Sequence, residues 1–343
     1  MRIFEYRKQC IGEIFACLSK RLTDYQYNDA VLDTDILISF VLKKTRAWIL
    51  THRDEELTCD ELQSIDKLIT KRKNAVPIAY ITGRKEFYGL DFAVDERVLI
   101  PKSDTEILVE EALTFCSEAI QHSDQESFSI LDLCSGSGCI GIALVKNLYT
   151  RCFTAQVHTT RSSNDKSELT LHPARIALTL QDISPDTLAL ARENAQRILH
   201  REIETGHVTL RLLCKDLRDG TDGSYECVVS NPPYVPSSVT SELLKDGRRE
   251  PRIALDGGAD GLALFPKLAD TIFDALRNSA AFFVEAGEYN IDNAKKIFGT
   301  RGFLQLKTFF DLHELPRVFS GIKPERSDHD RKCNDTKRHN AKR

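Results

Sequence analysis

The sequence predicts an α/β protein in which a mostly parallel sheet is covered by helices on both faces and preceded by a small helical unit. Three observations carry that prediction. From Ser129 onward, short apolar stretches alternate with helical patterns, the rhythm of parallel strands joined by crossover helices. The run SFSILDLCSGSG followed by CIGIALVKNLY reads as strand, glycine turn and helix. Residues 1 to about 75 instead place their apolar side chains at helical spacing. At 343 residues, against roughly 150 per domain, the chain has room for two domains.

In chain order, the helical unit (1–75) rests on Ile11, Ile14, Phe15 and Leu18, then Ile36, Leu37, Phe40 and Val41, then Leu62, Ile65, Leu68 and Ile69. Asp60 is the candidate cap of the last helix, and Lys71, Arg72 and Lys73 sit at its carbonyl-rich end. Aromatic and β-branched residues broken by Gly83 and Gly89 then predict a hairpin or short strands as a linker over 76–101. The α/β body occupies 102–323, with a helix starting near Glu106. Its strand candidates are SFSILDL, ARIALTLQD (174–182), VTLRLLCKD (208–216), YECVVSNPPY (225–234), SAAFFVEAG (279–287) and the 302–309 region. Helical patterns fall near 185–200, 263–277 and 290–299. The polar stretch at 158–169 reads as a surface insertion, and 324–343 as a basic tail beyond the folded body.

Composition narrows the function classes. Hydrophobic residues at 41% and charged residues at 29% describe a globular chain with a core of its own. The longest apolar runs fall short of the ~20 residues that span a bilayer, and the N-terminus runs straight into charge, so a cytoplasmic protein with no membrane contact is expected. Ten cysteines form no Cys-x-x-Cys pair, and no metal site is expected. Lys323–Arg343 holds eight Lys/Arg against four Asp/Glu, a formal +4, so the overall charge of -4 conceals a body at -8. Such a body argues against sequence-independent binding to nucleic acid. The tail reads as a solvated extension or a docking element for RNA.

Two clusters carry chemistry. Cys134, Ser135, Gly136, Ser137 and Gly138 lie where a strand turns into a helix, and small residues there let backbone N–H groups approach a ligand. A tight structural turn explains the same glycines. Asp182 ends the next strand, where it suits ribose hydroxyls, and Asp216 ends a further one, where it suits an adenine amino group; each also suits a cap. Asn231, Pro232, Pro233 and Tyr234 follow a strand that enters the ligand-binding edge. The Asn231 carbonyl and the free Pro232 carbonyl are two acceptors able to grip a planar NH₂ group, while Tyr234 supplies an aromatic face. The alternative is a rigid turn with an Asn cap. Acceptors without a nucleophile suit methyl transfer, in which the enzyme chiefly aligns a nitrogen with an electrophilic carbon.

Several separated motifs resemble the protein-(glutamine-N5) methyltransferases that modify peptide chain release factors. They are PIAYITGRKEFYGLDFAV with VLIPKSDTEILVEEAL, then ILDLCSGSGCIGIAL, QDISPDTLALARENA, VVSNPPYV and EPRIALDGGADGL, spread over about residues 5–323. The resemblance implies a Rossmann-like, seven-stranded domain dependent on S-adenosyl-L-methionine (AdoMet) and a helical domain that engages the release factor. It implies methylation of the glutamine in the substrate's Gly-Gly-Gln motif. By the same resemblance Cys134–Gly138 surround the methionine part of AdoMet, Asp182 holds its ribose, and Asp216 and Leu217 border adenine. Asn231, Pro232, Pro233 and Tyr234 hold the substrate amide, and Pro101–Glu106 lies at the mouth, with Asp104 and Thr105 as contacts or helix caps. The enzyme is expected to be a monomer with no stable DNA partner.

Three residues depart from the family pattern. Cys134 stands at a usual Gly, Lys102 at a usual Arg and Ser103 at a usual Pro. Lys102 keeps the charge and loses the bidentate fork. An Asn-Pro-Pro-Tyr motif also occurs in DNA adenine methyltransferases, so an adenine N6-methyltransferase is the enzymatic alternative. An inactive AdoMet-binding adaptor on the translation machinery is the other.

Overall fold

The computed structural model describes residues 10–23, 29–122, 125–154, 175–245 and 249–325. The expected insertion at 158–169 and the tail from 326 lie outside them.

The N-terminal part is helical, as its spacing predicts: α1 (Ile11–Thr23), α2 (Ala30–Leu42), α3 (Arg46–Thr51), α4 (Cys59–Lys73) and the short α5 (Ile78–Thr82). They share a core that includes Ile11, Ile14, Leu18, Leu37, Ile38, Leu62, Ile65 and Ile69. Two local expectations change. The cap of α4 is Thr58 rather than Asp60, in a reciprocal box in which Thr58 Oγ1 accepts from Glu61 N and Glu61 Oε2 accepts from Thr58 N. In α2 the buried face runs through Ala30, Thr34, Leu37 and Ile38, and Phe40 is 45% exposed. Two acids hide that face from an apolar reading: Asp33 is buried against Arg72 at 2.7 Å, and Asp35 faces Arg46 and Arg53 at 3.6 Å each.

A hairpin of β1 (Arg84–Phe87) and β2 (Leu90–Ala93) follows, in the predicted linker. After α6 (Glu106–Gln121) come β3 (Ser127–Leu133), α7 (Cys139–Tyr149), β4 (Arg175–Asp182), α8 (Pro185–Ile198), α9 (His200–Glu204), β5 (Val208–Cys214) and β6 (Tyr225–Ser230). The short helices α10 (Ser237–Lys245) and α11 (Arg252–Leu255) lead to α12 (Phe265–Ala275), β7 (Leu276–Glu285), α13 (Ile291–Arg301), β8 (Leu304–Phe310) and β9 (Pro316–Ile322).

Seven strands form one sheet in the order β5-β4-β3-β6-β7-β9-β8, with β9 antiparallel to both neighbours. One face packs α6, α7 and α8 through residues such as Leu108, Val145 and Ala191. The other packs α12 and α13 around Phe265, Phe282, Phe298 and Phe319. Because β4 and β6 both flank β3, chain direction across the sheet reverses beside β3, and a crevice opens at the carboxyl ends of β3, β4 and β6. β9 has no counterpart among the strand candidates read from the sequence: its Pro316 and Arg317 start and its Ser-Gly centre mask a strand that the sheet places between two others.

Candidate active site

At this edge β3 passes into the loop Cys134–Gly138, which ends in a left-handed cap on α7. The loop is held from several sides. Ser135 N donates to Gln181 O at 3.0 Å, Gly136 N to Asp182 Oδ2 at 3.0 Å, and Asn194 Nδ2 to Ser137 O at 3.0 Å. Asn194, fully buried on α8, also exchanges two bonds with the Ala93 backbone and so ties the hairpin to the loop. Cys134 has φ 64°, the left-handed region in which a side chain costs about 1–2 kcal/mol. That conformation accounts for the usual glycine.

The Cys134 thiol is pushed well up from its ordinary value, first by desolvation and then by the Asp182 and Asp132 carboxylates. A suppressed thiolate makes it a poor nucleophile. At mildly alkaline pH, iodoacetamide is expected to modify the exposed Cys59 and Cys214 well before Cys134, as followed by peptide mass mapping. Preferential labelling of Cys134 would contradict this environment.

Beneath the loop Asp132 is fully buried, with Oδ2 accepting from Gly141 N at 2.9 Å and Oδ1 without a hydrogen-bond partner. Burial raises its pKa from 3.8 to about 7, only partly offset by the Gly141 bond. The folded state therefore keeps a proton that the unfolded chain loses, and this group's contribution to stability falls as pH rises from 3.8 to about 7. Asp132→Asn removes that dependence while keeping an acceptor for Gly141. Its stability relative to wild type, from urea unfolding, is expected to be higher at about pH 8 than at about pH 5. An equal difference at both would refute the assignment.

A cavity of about 440 Å³ opens over the loop, within the roughly 300–1,000 Å³ range of ligand sites. Of the expected cofactor residues, Cys134, Ser135, Gly136, Ser137, Asp182, Asp216 and Leu217 line it; Gly138 lies just behind, starting α7. Asp182 already accepts from Gly136 N and Ser184 N, and burial raises its pKa. Asp216 accepts from Arg218 N at 2.8 Å and pairs with the Arg218 side chain, which lowers its pKa. Both aspartates thus shape their turns and face the cavity at once.

Asn231 and Pro233 also line the cavity, from the end of the strand beside β3, whereas Pro232 is buried and Tyr234 turns away, its hydroxyl donating to Glu285 Oε1 at 2.8 Å. Asn231 Nδ2 donates to Thr105 Oγ1 at 3.4 Å, which leaves Oδ1 for an incoming donor. Thr105 makes no side-chain cap on α6 and lines the cavity; Asp104 pairs with Arg317 at 3.4 Å. Lys102 reaches the buried Glu250 at 2.6 Å, joining the 101–106 loop to the segment over the cavity that includes Pro251, Ile253 and Ala254.

The glycine-rich LDGGADGL is explained by the same turn. Val235 N donates to Leu255 O, Gly257 N to Val235 O and Ser237 N to Gly258 O, so this loop lies backbone to backbone on the Asn-Pro-Pro-Tyr turn. A Cβ at Gly261 would stand 2.1 Å from Tyr234 O, and one at Gly257 would stand 2.7 Å from Tyr234 Cα.

Glu285, Glu250, Arg317 and Asn194 were not singled out from the sequence. Glu285 has one signal, an acid closing the apolar run AAFFVE; Asn194 lies within the quoted QDISPDTLALARENA and Glu250 opens the quoted EPRIALDGGADGL, neither with a pattern of its own.

A seven-stranded sheet with this order and a ligand-sized crevice beside the glycine loop defines the Rossmann-like fold of AdoMet-dependent methyltransferases. Residues 13–83 match the model of the PrmC N-terminal domain. A release factor glutamine methyltransferase of Clostridium acetobutylicum is 32% identical over 295 residues, 85% of this chain and 90% of that protein. One from Caulobacter vibrioides is 31% identical over 312 residues, 88% and 93% of the two chains. The solved protein-(glutamine-N5) methyltransferase of Alicyclobacillus acidocaldarius is 23% identical with a TM-score of 0.34, covering 68% of this chain and 100% of that one. On the sequence relatives, the chain belongs to the release factor glutamine methyltransferase family. No helix among the described residues is long and apolar enough to cross a membrane.

Proposed function

We propose that this enzyme transfers the methyl group of AdoMet to the side-chain amide nitrogen of the glutamine in the Gly-Gly-Gln motif of peptide chain release factors. The observation that carries the reading is the placement of Asn231, with an unengaged carbonyl, in the same cavity as the glycine loop and Asp182.

The cavity fits the cofactor in size and in donor chemistry. The small residues Ser135–Ser137 leave room for its methionine part, Asp182 presents a carboxylate to ribose hydroxyls, and Asp216 with Leu217 offers a polar and an apolar edge to adenine. When bound, AdoMet supplies an electrophilic methyl carbon on a sulfonium sulfur. The remaining work is orientation. An amide nitrogen is a poor nucleophile because its lone pair is delocalised, and two acceptors on its N–H groups align it and stabilise positive charge as bonding begins. Asn231 Oδ1, in the cavity wall, fills the first role; the family resemblance assigns the second to the backbone carbonyl of Pro232, whose ring is buried behind that wall, with Pro233 and Tyr234 stiffening the turn. Pro233, Ile253 and Ala254 in the cavity wall keep water from the reacting centre. The amide loses one proton to solvent, so no general base is assigned.

In this reading residues 1–75 recognise the release factor, 76–101 link, 102–323 catalyse, and 324–343 remain a tail. Incubation with methyl-labelled AdoMet and either purified release factor or duplex DNA tests the choice of acceptor. Label in the release factor alone is expected; label in DNA alone overturns the proposal.

A further inference from the structure

Thr187, Leu190, Asn194 and Arg197 follow one another at helical spacing and form one stripe of α8, beside the stripe of Leu188, Ala191 and Ala195 that packs on the sheet. The first stripe holds the chain that leaves the hairpin. Arg197 donates to Asp91 O, Leu190 packs with Val94 and Val98, and Thr187 Oγ1 donates to Arg97 O at 2.9 Å. Arg97, Val98 and Leu99 then line the cavity, so one of its walls comes from the linker. Tyr80 of α5 donates its hydroxyl to Val98 O at 2.6 Å, which joins the helical unit to the same wall.

Asn194 stands at the centre of this stripe. Its Oδ1 accepts from Ala93 N at 2.8 Å and its Nδ2 donates to Ala93 O at 3.0 Å, the reciprocal pair of bonds that one strand residue makes with its partner on an antiparallel neighbour. The other Nδ2 hydrogen goes to Ser137 O at 3.0 Å. The acceptor and both donors are engaged on a fully buried side chain, so the amide has one orientation, and neither an acidic nor an apolar side chain of its size reproduces it. The other anchors of the glycine loop differ in origin: Ser135 N and Gly136 N are tied to Gln181 and Asp182 of β4, whereas Ser137 O is tied through Asn194 to the hairpin.

We propose that Asn194 is a positioning residue for cofactor binding. It makes the glycine loop and the hairpin one unit, so AdoMet binds with full affinity only while the hairpin is docked on α8. Linkage is reciprocal, and bound cofactor therefore holds the hairpin in place. The inference rests on the reading of this cavity as the AdoMet site.

Hydrogen–deuterium exchange with and without S-adenosyl-L-homocysteine, read on peptides covering 84–94 and 134–138, tests the linkage in the wild-type enzyme. Exchange is expected to slow in both when the product binds; slowing in the loop with an unchanged hairpin overturns the proposal. Asn194→Ala removes the bridge. Its Kd for the same product is expected to rise about tenfold, within the roughly 5–150-fold range of coupled sites, while kcat at saturating AdoMet stays within about threefold of wild type. Product binding should then no longer slow the hairpin. Asn194→Asp keeps the shape and the acceptor for Ala93 N but turns an oxygen toward two carbonyls, so it should weaken product binding at least as much. A lower melting temperature with unchanged product affinity would leave Asn194 a packing residue and overturn the role, as would a fall in kcat with Kd unmoved. Should neither variant fold, the exchange result on the wild-type enzyme decides. A wild-type enzyme that does not bind the product at all would instead be a failure of the cofactor reading.

Discussion

Asn231→Ala is expected to lower methyl transfer to a release-factor substrate by roughly 10²-fold or more, the cost of removing a group that acts in the transition state. The reasoning is differential. Asn231 touches the cavity wall, but the glycine loop, Asp182 and the Asp216–Leu217 turn supply most of the surface assigned to the cofactor. Cofactor affinity should therefore be largely retained while kcat falls. The loss should also exceed that of Tyr234→Phe, because the Tyr234 hydroxyl is directed at Glu285 rather than into the cavity. Equilibrium dialysis with AdoMet beside single-turnover kinetics measures both quantities. Near-wild-type turnover would remove Asn231 from the mechanism.

Gly261→Ala is expected to have the largest effect on stability. Its φ is +79°, and the added Cβ would lie 2.1 Å from Tyr234 O and 2.8 Å from Asn290 Nδ2. The first of these is backbone, which cannot swing aside. A forced shift of packed backbone costs about 1–3 kcal/mol and a side chain in the left-handed region about 1–2, so a loss near 3 kcal/mol is expected from denaturant unfolding. Tyr234 O also receives Tyr289 Oη at 3.2 Å and Asn290 Nδ2 at 3.3 Å, so the displaced carbonyl pulls on the Asn-Pro-Pro-Tyr turn. Activity should fall with stability. Wild-type values of both would show that the turn tolerates a move the packing denies it.

What could be read before the structure was what is contiguous. The strand, glycine loop and helix occupy the twenty-three adjacent positions 127–149, and the Asn-Pro-Pro-Tyr turn four, so local backbone requirements write them directly into the residue order. The parallel sheet was legible for the same reason, since strands buried on both faces are short apolar runs. Asp60, a good cap by type, stands two residues after Thr58 and masks it in the residue order; reciprocity with Glu61 is what selects Thr58. The buried face of α2 was obscured because Asp33 and Asp35 go inward only when Arg72, Arg46 and Arg53 arrive from other helices. Asn194, Glu250 and Glu285 act across 101, 148 and 51 residues of chain respectively, on Ala93, Lys102 and Tyr234. No local pattern marks such a contact. The motif EPRIALDGGADGL stood between these cases: its glycines were visible, but their reason, the Tyr234 backbone, lies across the fold.

The most direct test of the central claim is intact-mass analysis of a release factor after incubation with the enzyme and AdoMet, followed by fragmentation to locate the modification. One methyl group on the side-chain amide of the Gly-Gly-Gln glutamine, absent with the Asn231→Ala enzyme, is the predicted result. A methyl group on another residue, or an unmodified release factor in the presence of an enzyme that demonstrably binds AdoMet, would contradict it.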